Sequence, residues 1–334
     1  MGGAAAMLAL VALAGCGKPA ETPAAAAGTK PLVKVVFQTD WFAQPEHGGF
    51  YQALVKGYYR DAGLDVEIRQ GNPTTIPAQV VATGRADFAM GRSDDVIIDA
   101  GRGVPLMMLG GFMQRDPQAI LFHTESGIRG FKDLDGRNLM AVPGSPFITI
   151  MENTFHIKVA VTPTDFGMNR FLADKNFVQQ CFLTNEPFYV RQHGANVGVL
   201  VLSDSGFSPY RVWYGRRDFV RSHPDIVRAF GAATVRGWSE YIAGDRTEAN
   251  ARIASLNPKM EPEFMAFSVH AMQEYHLITG DPAAGEGVGQ ISRERIETQL
   301  RQLAGIGLLD RPVTLDEVFD ARLLPPASPS PAAK

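Results

Sequence analysis

The sequence predicts an α/β protein of two lobes joined by a hinge, with helices added at its C-terminal end. The chain up to residue 123 alternates strand and helix patterns, which is typical of a parallel sheet covered by helices. Residues 124–208 carry strand and helix patterns of their own, and the chain then becomes almost wholly helical. A length of 334 residues suits about two domains. We therefore expect lobe 1 to comprise 31–123 with 209–324, and lobe 2 to comprise 124–208.

The individual elements follow from the spacing of apolar residues and from helix-ending glycines. Val33, Val35 and Phe37 alternate along a first strand, and Gly63 stands where a glycine commonly ends a helix. Further strands are predicted at 64–69, 86–90, 105–109, 138–142, 197–202 and 210–214. Further helices are predicted at 76–83, 93–100, 146–156, 224–243, 247–256, 262–275 and 292–303. These units predict parallel strands with helices on both faces of the sheet.

The loop after the first strand is the strongest candidate for a binding site in lobe 1. It contains Asp40, Trp41 and, at the start of the next helix, His47. Open α/β sheets bind ligands at the carboxyl ends of their strands, and a ring beside a carboxylate suits a flat ligand with a polar edge. The alternative is that Trp41 belongs to the core, Asp40 to a turn, and His47 to a structural helix start. Both interpretations remain open at this point.

Lobe 2 and the helix starts offer further candidates. Gly144 and Ser145 join a strand to a helix, where backbone N–H groups are available to a polar ligand atom. Tyr189 is placed to cover a planar ring opposite the lobe 1 aromatics, and Glu186 to accept hydrogen bonds from amino groups on the ring's edge. Glu186 before a proline is also a common way to begin a helix. Ser93 is placed to cap the start of another helix.

Composition and motifs favour ligand binding over other functions. A formal net charge of -3, with no basic stripe, argues against nucleic acid as a partner. The seven histidines lack metal-ligand spacing, and no P-loop or nucleophile elbow occurs. We expect no catalytic residue, metal or cofactor, and Cys181 to be a lone buried thiol. Small-molecule capture by a monomer is the expected activity.

The N-terminal segment indicates export. A short apolar run at 7–14, too short to span a bilayer, ends in Leu13-Ala14-Gly15-Cys16, which resembles the lipobox of bacterial lipoproteins. This implies that residues 1–16 include a signal peptide cleaved before Cys16, which then carries the lipid. The alternative is an ordinary signal peptide, and no Lys or Arg precedes the apolar run. Residues 17–30 are predicted to be a flexible tether and 325–334 a disordered tail. We expect a periplasmic or extracytoplasmic protein held at the membrane by its lipid anchor alone.

A spaced set of motifs across 31–240 resembles the thiamine pyrimidine-precursor binding proteins. The matching segments are Asp40-Trp41, 45–49, 56–59, 63–66, 84–88, 100–105, 134–137 and 185–187. That superfamily includes solute-binding proteins of ABC importers and the fungal pyrimidine synthases of thiamine biosynthesis. The resemblance implies the type II periplasmic binding protein fold, with a hinge between two α/β lobes.

The resemblance also implies a function and a set of site residues. It implies capture of a thiamine pyrimidine precursor, or a similar aromatic heterocycle, for an ABC permease in the membrane. The pyrimidine is expected to stack between aromatic rings of the two lobes. The ligand-binding positions carried over are Asp40, Trp41, His47, Ser93, Gly144, Ser145, Glu186 and Tyr189.

Three alternatives remain beside this hypothesis. The first is an enzyme of the pyrimidine-synthase type, which uses pyridoxal phosphate and consumes a histidine at the position of His47. The synthases carry a run of cysteines where this chain has 205–208, and this chain has an export leader, so both departures weigh against it. The second is a binding protein for another solute, such as riboflavin, nitrate or a sulfonate. The third is a sensor module whose cleft has lost its ligand.

Overall fold

The structure, a computed structural model, describes residues 1–2 and 31–326. The predicted signal peptide, the lipid-bearing Cys16, the tether and nearly all of the tail lie outside the described residues. Within the described part of the chain, the ten strands are β1 Val33–Gln38, β2 Leu64–Arg69, β3 Phe88–Arg92, β4 Leu106–Met113, β5 Gln118–His123, β6 Asn138–Ala141, β7 Ala160–Pro163, β8 Val178–Phe182, β9 Val197–Val201 and β10 Arg211–Arg216.

The same described residues form thirteen α-helices. They are α1 Gly48–Val55, α2 Tyr58–Asp61, α3 Pro77–Ala82, α4 Ser93–Gly101, α5 Pro146–Phe155, α6 Asn169–Ala173, α7 Glu186–Gln192, α8 Arg217–Ser222, α9 Pro224–Ala243, α10 Thr247–Leu256, α11 Pro262–Glu274, α12 Arg293–Gly305 and α13 Leu315–Val318. No helix within 31–326 is long and apolar enough to cross a membrane.

The strands form two five-stranded sheets, one in each lobe. The first has the order β2-β1-β3-β10-β4, and the second has the order β7-β6-β8-β5-β9. In the first sheet β1 runs parallel to β2 and β3, whereas β10 runs antiparallel to β3 and β4. In the second sheet β6 runs parallel to β7 and β8, and β5 is antiparallel to its two neighbours. The predicted two-lobe α/β architecture is confirmed, but each sheet is mixed rather than wholly parallel.

The chain crosses from the first sheet to the second earlier than the sequence pattern predicted. We expected lobe 1 to continue to residue 123, but β5 pairs with β8 and β9 and therefore belongs to the second sheet. The chain thus leaves the first sheet after Met113 and enters the second at Gln118. All six side chains of β5 are buried, so their pattern is the same whichever sheet takes the strand. The chain returns to the first sheet at β10.

A rigid aromatic core supports the first sheet beneath the site. The ring of Phe37 on β1 lies 4.4 Å from that of Phe50 on α1, and Trp238 on α9 stacks on Phe112 at 5.5 Å. These side chains are fully buried. Their burial contributes roughly 1.5–3 kcal/mol each, so β1 and the loop that follows it have a firm base.

Candidate ligand-binding cleft

A cavity of about 360 Å³ lies between the two sheets, within the size range of small-molecule sites. The strand register explains its position. Arg211 at the start of β10 pairs with Arg92 at the end of β3, and Gln118 at the start of β5 pairs with Phe182 at the end of β8. Because the antiparallel strands begin where their parallel neighbours end, polar side chains from both sheets meet at facing edges. Lobe 1 contributes Asp40, Trp41, Gln44, Glu46 and Arg211 to the lining, and lobe 2 contributes Phe166, Gln179, Phe182, Asn185, Glu186 and Tyr189.

Asp40 lines the cavity, but its oxygens already have partners. Its Oδ2 accepts a hydrogen bond from the Arg211 guanidinium, and its Oδ1 lies 3.2 Å from Nε2 of His47. Burial alone would raise the pKa of Asp40, but Arg211 and His47 hold that pKa well below its usual range. Asp40 is therefore an ionised anchor that fixes Arg211 at the cavity wall. Sequence reasoning identified Asp40 but missed Arg211, which lies 171 residues away along the chain.

His47 lies behind Asp40 rather than in the cavity. Its ring is fully buried and does not belong to the lining residues. Its Nε2 faces the ionised Asp40 carboxylate, so this nitrogen carries the proton and donates it, while Nδ1 has no hydrogen-bond partner within residues 31–326. The structure therefore places His47 as a support for Asp40, without the direct ligand contact that the resemblance implied.

Aromatic rings from both lobes enclose the cavity. The Trp41 ring lies 5.6 Å from the ring of Phe166, which follows β7 in lobe 2. Tyr189 lines the cavity as expected, and its ring stacks on Phe264 of α11 at 5.3 Å. Phe166 was missed by sequence reasoning. It has a left-handed backbone with φ 59° and is 62% exposed, and the only local signal is the glycine that follows it.

Glu186 begins α7 and faces the cavity. Its Oε2 accepts a 2.7 Å hydrogen bond from the backbone N–H of Phe182, which leaves Oε1 for other donors. Burial is the main cause that raises the pKa of Glu186 to about 7. The two interpretations of Glu186 hold together, since it starts a helix and lines the cavity.

Two lining residues each have a buried acceptor oxygen without a hydrogen-bond partner in the part of the chain that the structure describes. Glu46 is 3% exposed, and its Oε1 accepts a 2.5 Å hydrogen bond from Thr184 of lobe 2, while Oε2 has none. Gln179 is 2% exposed, and its Oε1 also lacks a partner. Burial raises the pKa of Glu46 as well. Sequence reasoning missed both residues, because an acid in a loop and a glutamine in a strand look like surface residues until the fold buries them.

A second cavity of about 430 Å³ adjoins the first, and the two share Asp40, Val142 and Arg211 as lining residues. Gly144 and Ser145 line this second cavity. Ser93 lines neither cavity among those that the described residues form: its Oγ donates to Gln299 of α12 at 2.7 Å and accepts from the Tyr210 N–H at 2.9 Å. Ser93 therefore attaches the start of α4 to a C-terminal helix, because its hydroxyl points away from the cleft.

Comparison with solved structures identifies the fold. The periplasmic aliphatic sulphonate binding protein of Escherichia coli superposes with a TM-score of 0.66 over 92% of this chain and 96% of that one, at 13% identity. The two mixed sheets, the double crossing and the cleft define the type II periplasmic binding protein fold. The chain belongs to the NMT1/THI5 like family, whose model matches residues 44–248.

Three relatives found by sequence comparison have names that indicate different functions. A riboflavin-binding protein of Chloroflexus aurantiacus is 23% identical over 96% of this chain and 97% of its own. A formylaminopyrimidine-binding protein of Halalkalibacterium halodurans is 20% identical over 94% and 96%. The 4-amino-5-hydroxymethyl-2-methylpyrimidine phosphate synthase of Candida albicans is 29% identical over 69% and 73%. The family therefore contains both binding proteins and synthases.

Proposed function

We propose that the protein is the solute-binding component of an ABC-type importer and that its cleft captures a thiamine pyrimidine precursor or a similar small aromatic heterocycle. The observation that carries this proposal is that Glu46 and Gln179 line a cavity walled by aromatic rings, and that each has a buried oxygen, Oε2 and Oε1 respectively, without a hydrogen-bond partner among the described residues. Each buried acceptor without a donor costs about 1–3 kcal/mol. A flat ring with amino groups on its edge supplies the missing donors and stacks on the aromatic walls.

The same acceptors argue against the anionic solutes bound by some proteins of this fold. Nitrate and sulfonates offer only acceptor oxygens, so they cannot supply the hydrogens that Glu46 Oε2 and Gln179 Oε1 lack. Arg211, the guanidinium in this lining, is already paired with Asp40. Heterocycles with N–H donors, including aminopyrimidines and riboflavin, are therefore favoured over small anions.

The synthase relative raises a second candidate function, an enzyme that uses pyridoxal phosphate and consumes His47. The residues present do not fit that cofactor. Among the described residues, no lysine lines either cavity, and the unpartnered atoms of the first are acceptors that would repel a phosphate group. His47 is also fully buried behind Asp40. We therefore propose capture without a chemical step.

We further propose that the protein acts outside the cytoplasm as a monomer attached to the membrane through a lipid on Cys16. The sequence at 13–16 supports this. Replacing Cys16 with serine is expected to move the protein from the membrane fraction to the soluble fraction. Continued membrane association of that variant would contradict the anchor.

Thermal shift and calorimetry with the purified protein test the ligand class. A ligand at one hundred times its dissociation constant adds about 2.7 kcal/mol of stability, so the melting temperature rises with aminopyrimidines or riboflavin and stays constant with nitrate and sulfonates. A rise with the anions alone would overturn the ligand class.

The Gln179→Leu variant tests the acceptor itself. It keeps the shape of the side chain but removes the acceptor, so we expect affinity to fall about tenfold, which corresponds to one lost hydrogen bond. Gln192→Leu is the matched control, because Gln192 is exposed at the end of α7 and lines neither cavity. Equal affinities of the two variants would remove Gln179 from the site.

A further inference from the structure

The first cavity has more carboxyl groups than basic groups in its lining. Asp40, Glu46 and Glu186 are its acidic residues, and Arg211 is the single lysine or arginine that the described part of the chain contributes to it. Arg211 forms an ion pair with Asp40, so these two charges cancel. Neither Glu46 nor Glu186 has an ion-pair partner within residues 31–326. The cavity therefore keeps two carboxyl groups that no cation of the described chain balances.

The two remaining carboxyl groups are held by neutral donors from lobe 2. Glu46 accepts a hydrogen bond from the Thr184 hydroxyl, and Glu186 accepts one from the backbone N–H of Phe182. These hydrogen bonds orient the carboxyl groups but do not cancel a charge. Glu46 also keeps a buried oxygen, Oε2, without a partner among the described residues. Burial raises the pKa of Glu186, and the Glu46 carboxyl raises it further, because two ionised acids in one cavity repel each other.

The other titratable side chains that act on these two glutamates do not supply a positive charge. They are Asp40, His47, Cys181, Tyr189 and Tyr241. Burial raises the pKa of the thiol and of both phenols, so these three groups are uncharged near neutral pH. His47 directs its Nε2 at Asp40 and not at either glutamate. A positive charge that balances the two glutamates therefore has to come from the ligand.

We propose that the cleft selects a positively charged solute, a flat nitrogen base such as an amidine or a protonated aminopyrimidine, over a neutral ring of the same shape. This rests on the proposed function, because it assigns a charge to the solute of the same cavity. Such a cation balances the carboxylates and donates to Glu46 Oε2 through a charge-assisted hydrogen bond, which is stronger than a neutral one. The faces of aromatic rings such as Trp41 and Tyr189, which line the cavity, also attract a cation.

The pair of 4-amino-1-methylpyridinium and 4-methylaniline tests the charge by calorimetry. The two molecules have the same shape and the same amino group, but only the first has a fixed positive charge. At pH about 8, where a carboxyl with a pKa of about 7 is mostly ionised, we expect the cation to bind at least about tenfold more tightly. A cation that binds no more tightly than 4-methylaniline, or that does not bind, overturns the inference. The proposed function then stands if an aminopyrimidine or riboflavin raises the melting temperature, and falls if neither does.

The Glu46→Gln variant assigns the selectivity to the unbalanced carboxyl groups. It keeps an acceptor for Thr184 and removes the charge, so the preference for the cation is expected to narrow about fivefold, mainly through weaker binding of the cation. Glu263→Gln on α11 is the matched control, because Glu263 is exposed and lines neither cavity. Thermal melts check that both variants remain folded, and Glu46→Gln should melt no lower than the wild type, since it removes a buried charge that lacks a cation. An unchanged preference in Glu46→Gln with a normal melt overturns the assignment to Glu46.

Discussion

At the scale of single residues, the carboxyl groups that line the cleft have the same chemistry but different pKa values, because their neighbours differ. Asp40 is paired with Arg211 and His47, so its pKa is held low and it remains a fixed charge. Glu186 has no cationic partner, and burial raises its pKa to about 7. Asp40 therefore provides the wall of the cleft, whereas Glu186 can still exchange a proton or accept a new donor. The proposed ligand, with amino groups on its edge, would pair with the second kind of carboxyl.

The raised pKa of Glu186 predicts that binding depends on pH. The ionised carboxylate accepts a donor edge better than the neutral acid, so the affinity for an aminopyrimidine is expected to fall as pH drops below about 7. Calorimetric titrations between pH about 5 and 8 measure this dependence. The Glu186→Gln variant has no proton to exchange at this position and should show a weaker pH dependence, the remainder of which belongs to Glu46, whose pKa burial also raises. A wild-type profile as flat as that of the variant would contradict the assignment.

The same residue links pH to stability in the free protein. The pKa of Glu186 is raised from 4.5 in an unfolded chain to about 7 in the fold, so the folded state binds more protons between those values. Its contribution to stability is therefore greatest at low pH and is lost as pH rises through that window. Donors of the proposed ligand that pair with the carboxylate are expected to offset this loss.

Sequence reasoning identified those cavity-lining residues whose position along an element is distinctive. Trp41 follows the first strand and Glu186 precedes a helix proline, so both stood out. Arg211, Glu46 and Gln179 did not, because their roles depend on contacts across the two lobes. In the sequence, Arg211 is one residue of a strand that returns to the first sheet. Only the strand register, which pairs Arg211 with Arg92 and Met113, brings its side chain to Asp40. Local patterns specify an element, whereas the partner of a buried charge is set by tertiary packing.

At the scale of elements, the loop that carries Asp40 is held by close packing of α1 on α9. A Cβ added at Gly237 of α9 would lie 2.3 Å from the carbonyl oxygen of Gly49 on α1. One added at Gly49 would lie 2.1 Å from the ring of Trp238. The two helices therefore approach each other through backbone surfaces that only glycine leaves open. Since α1 follows the turn that contains His47, this contact fixes the support of Asp40.

We expect Gly237→Ala to destabilise the protein by about 1–3 kcal/mol, because the added methyl overpacks the contact between α1 and α9. Urea unfolding measures the loss. Gly305→Ala is the matched control: Gly305 is an exposed glycine at the end of α12, and an added Cβ there meets no atom within 4 Å. That substitution should leave stability unchanged or raise it slightly. A loss of the same size in both variants would show that helix propensity rather than packing decides the result.

The misplaced boundary at β5 illustrates what element-level patterns leave undetermined. The sequence pattern assigned no strand to its six residues, which the structure shows to be a fully buried strand. Which sheet receives that strand depends on the length of the connection from Met113 to Gln118 and on the partners available, β8 and β9. The composition of a strand buried on both faces carries no information on either point.

At the scale of the whole molecule, contacts across the cleft show how the lobes enclose a ligand. Thr184 of lobe 2 donates to Glu46 of lobe 1, and Phe166 contacts Trp41. Three of these four bridging residues, Glu46, Trp41 and Phe166, also line the cavity. A ligand that contacts both lobes binds the closed arrangement more tightly than an open one. The difference between those two affinities sets how strongly the ligand stabilises the closed arrangement.

Cys181 provides a reporter for that enclosure. Its thiol is buried on β8 and lines the first cavity. Burial raises the pKa of this thiol well above the usual value, so the reactive thiolate is rare and reagents reach it only when the cleft admits them. We expect a saturating aminopyrimidine or riboflavin to slow alkylation of Cys181 by iodoacetamide about tenfold, since the ligand fills the cavity and keeps the lobes together. Mass spectrometry of the peptide that contains Cys181 measures the rate separately from any reaction at Cys16.

A second thiol distinguishes enclosure from a general effect of the ligand. Ser255→Cys places a cysteine at an exposed position of α10, outside both cavities, and its alkylation rate should be the same with and without ligand. In urea the rates at Cys181 and at the introduced cysteine should converge, because unfolding removes the shelter of the cleft. Protection of both thiols by the ligand would point to slower global opening. A Cys181 rate that ignores a bound ligand would place that ligand outside the interlobe cavity, and would overturn the site from which the proposed function is argued.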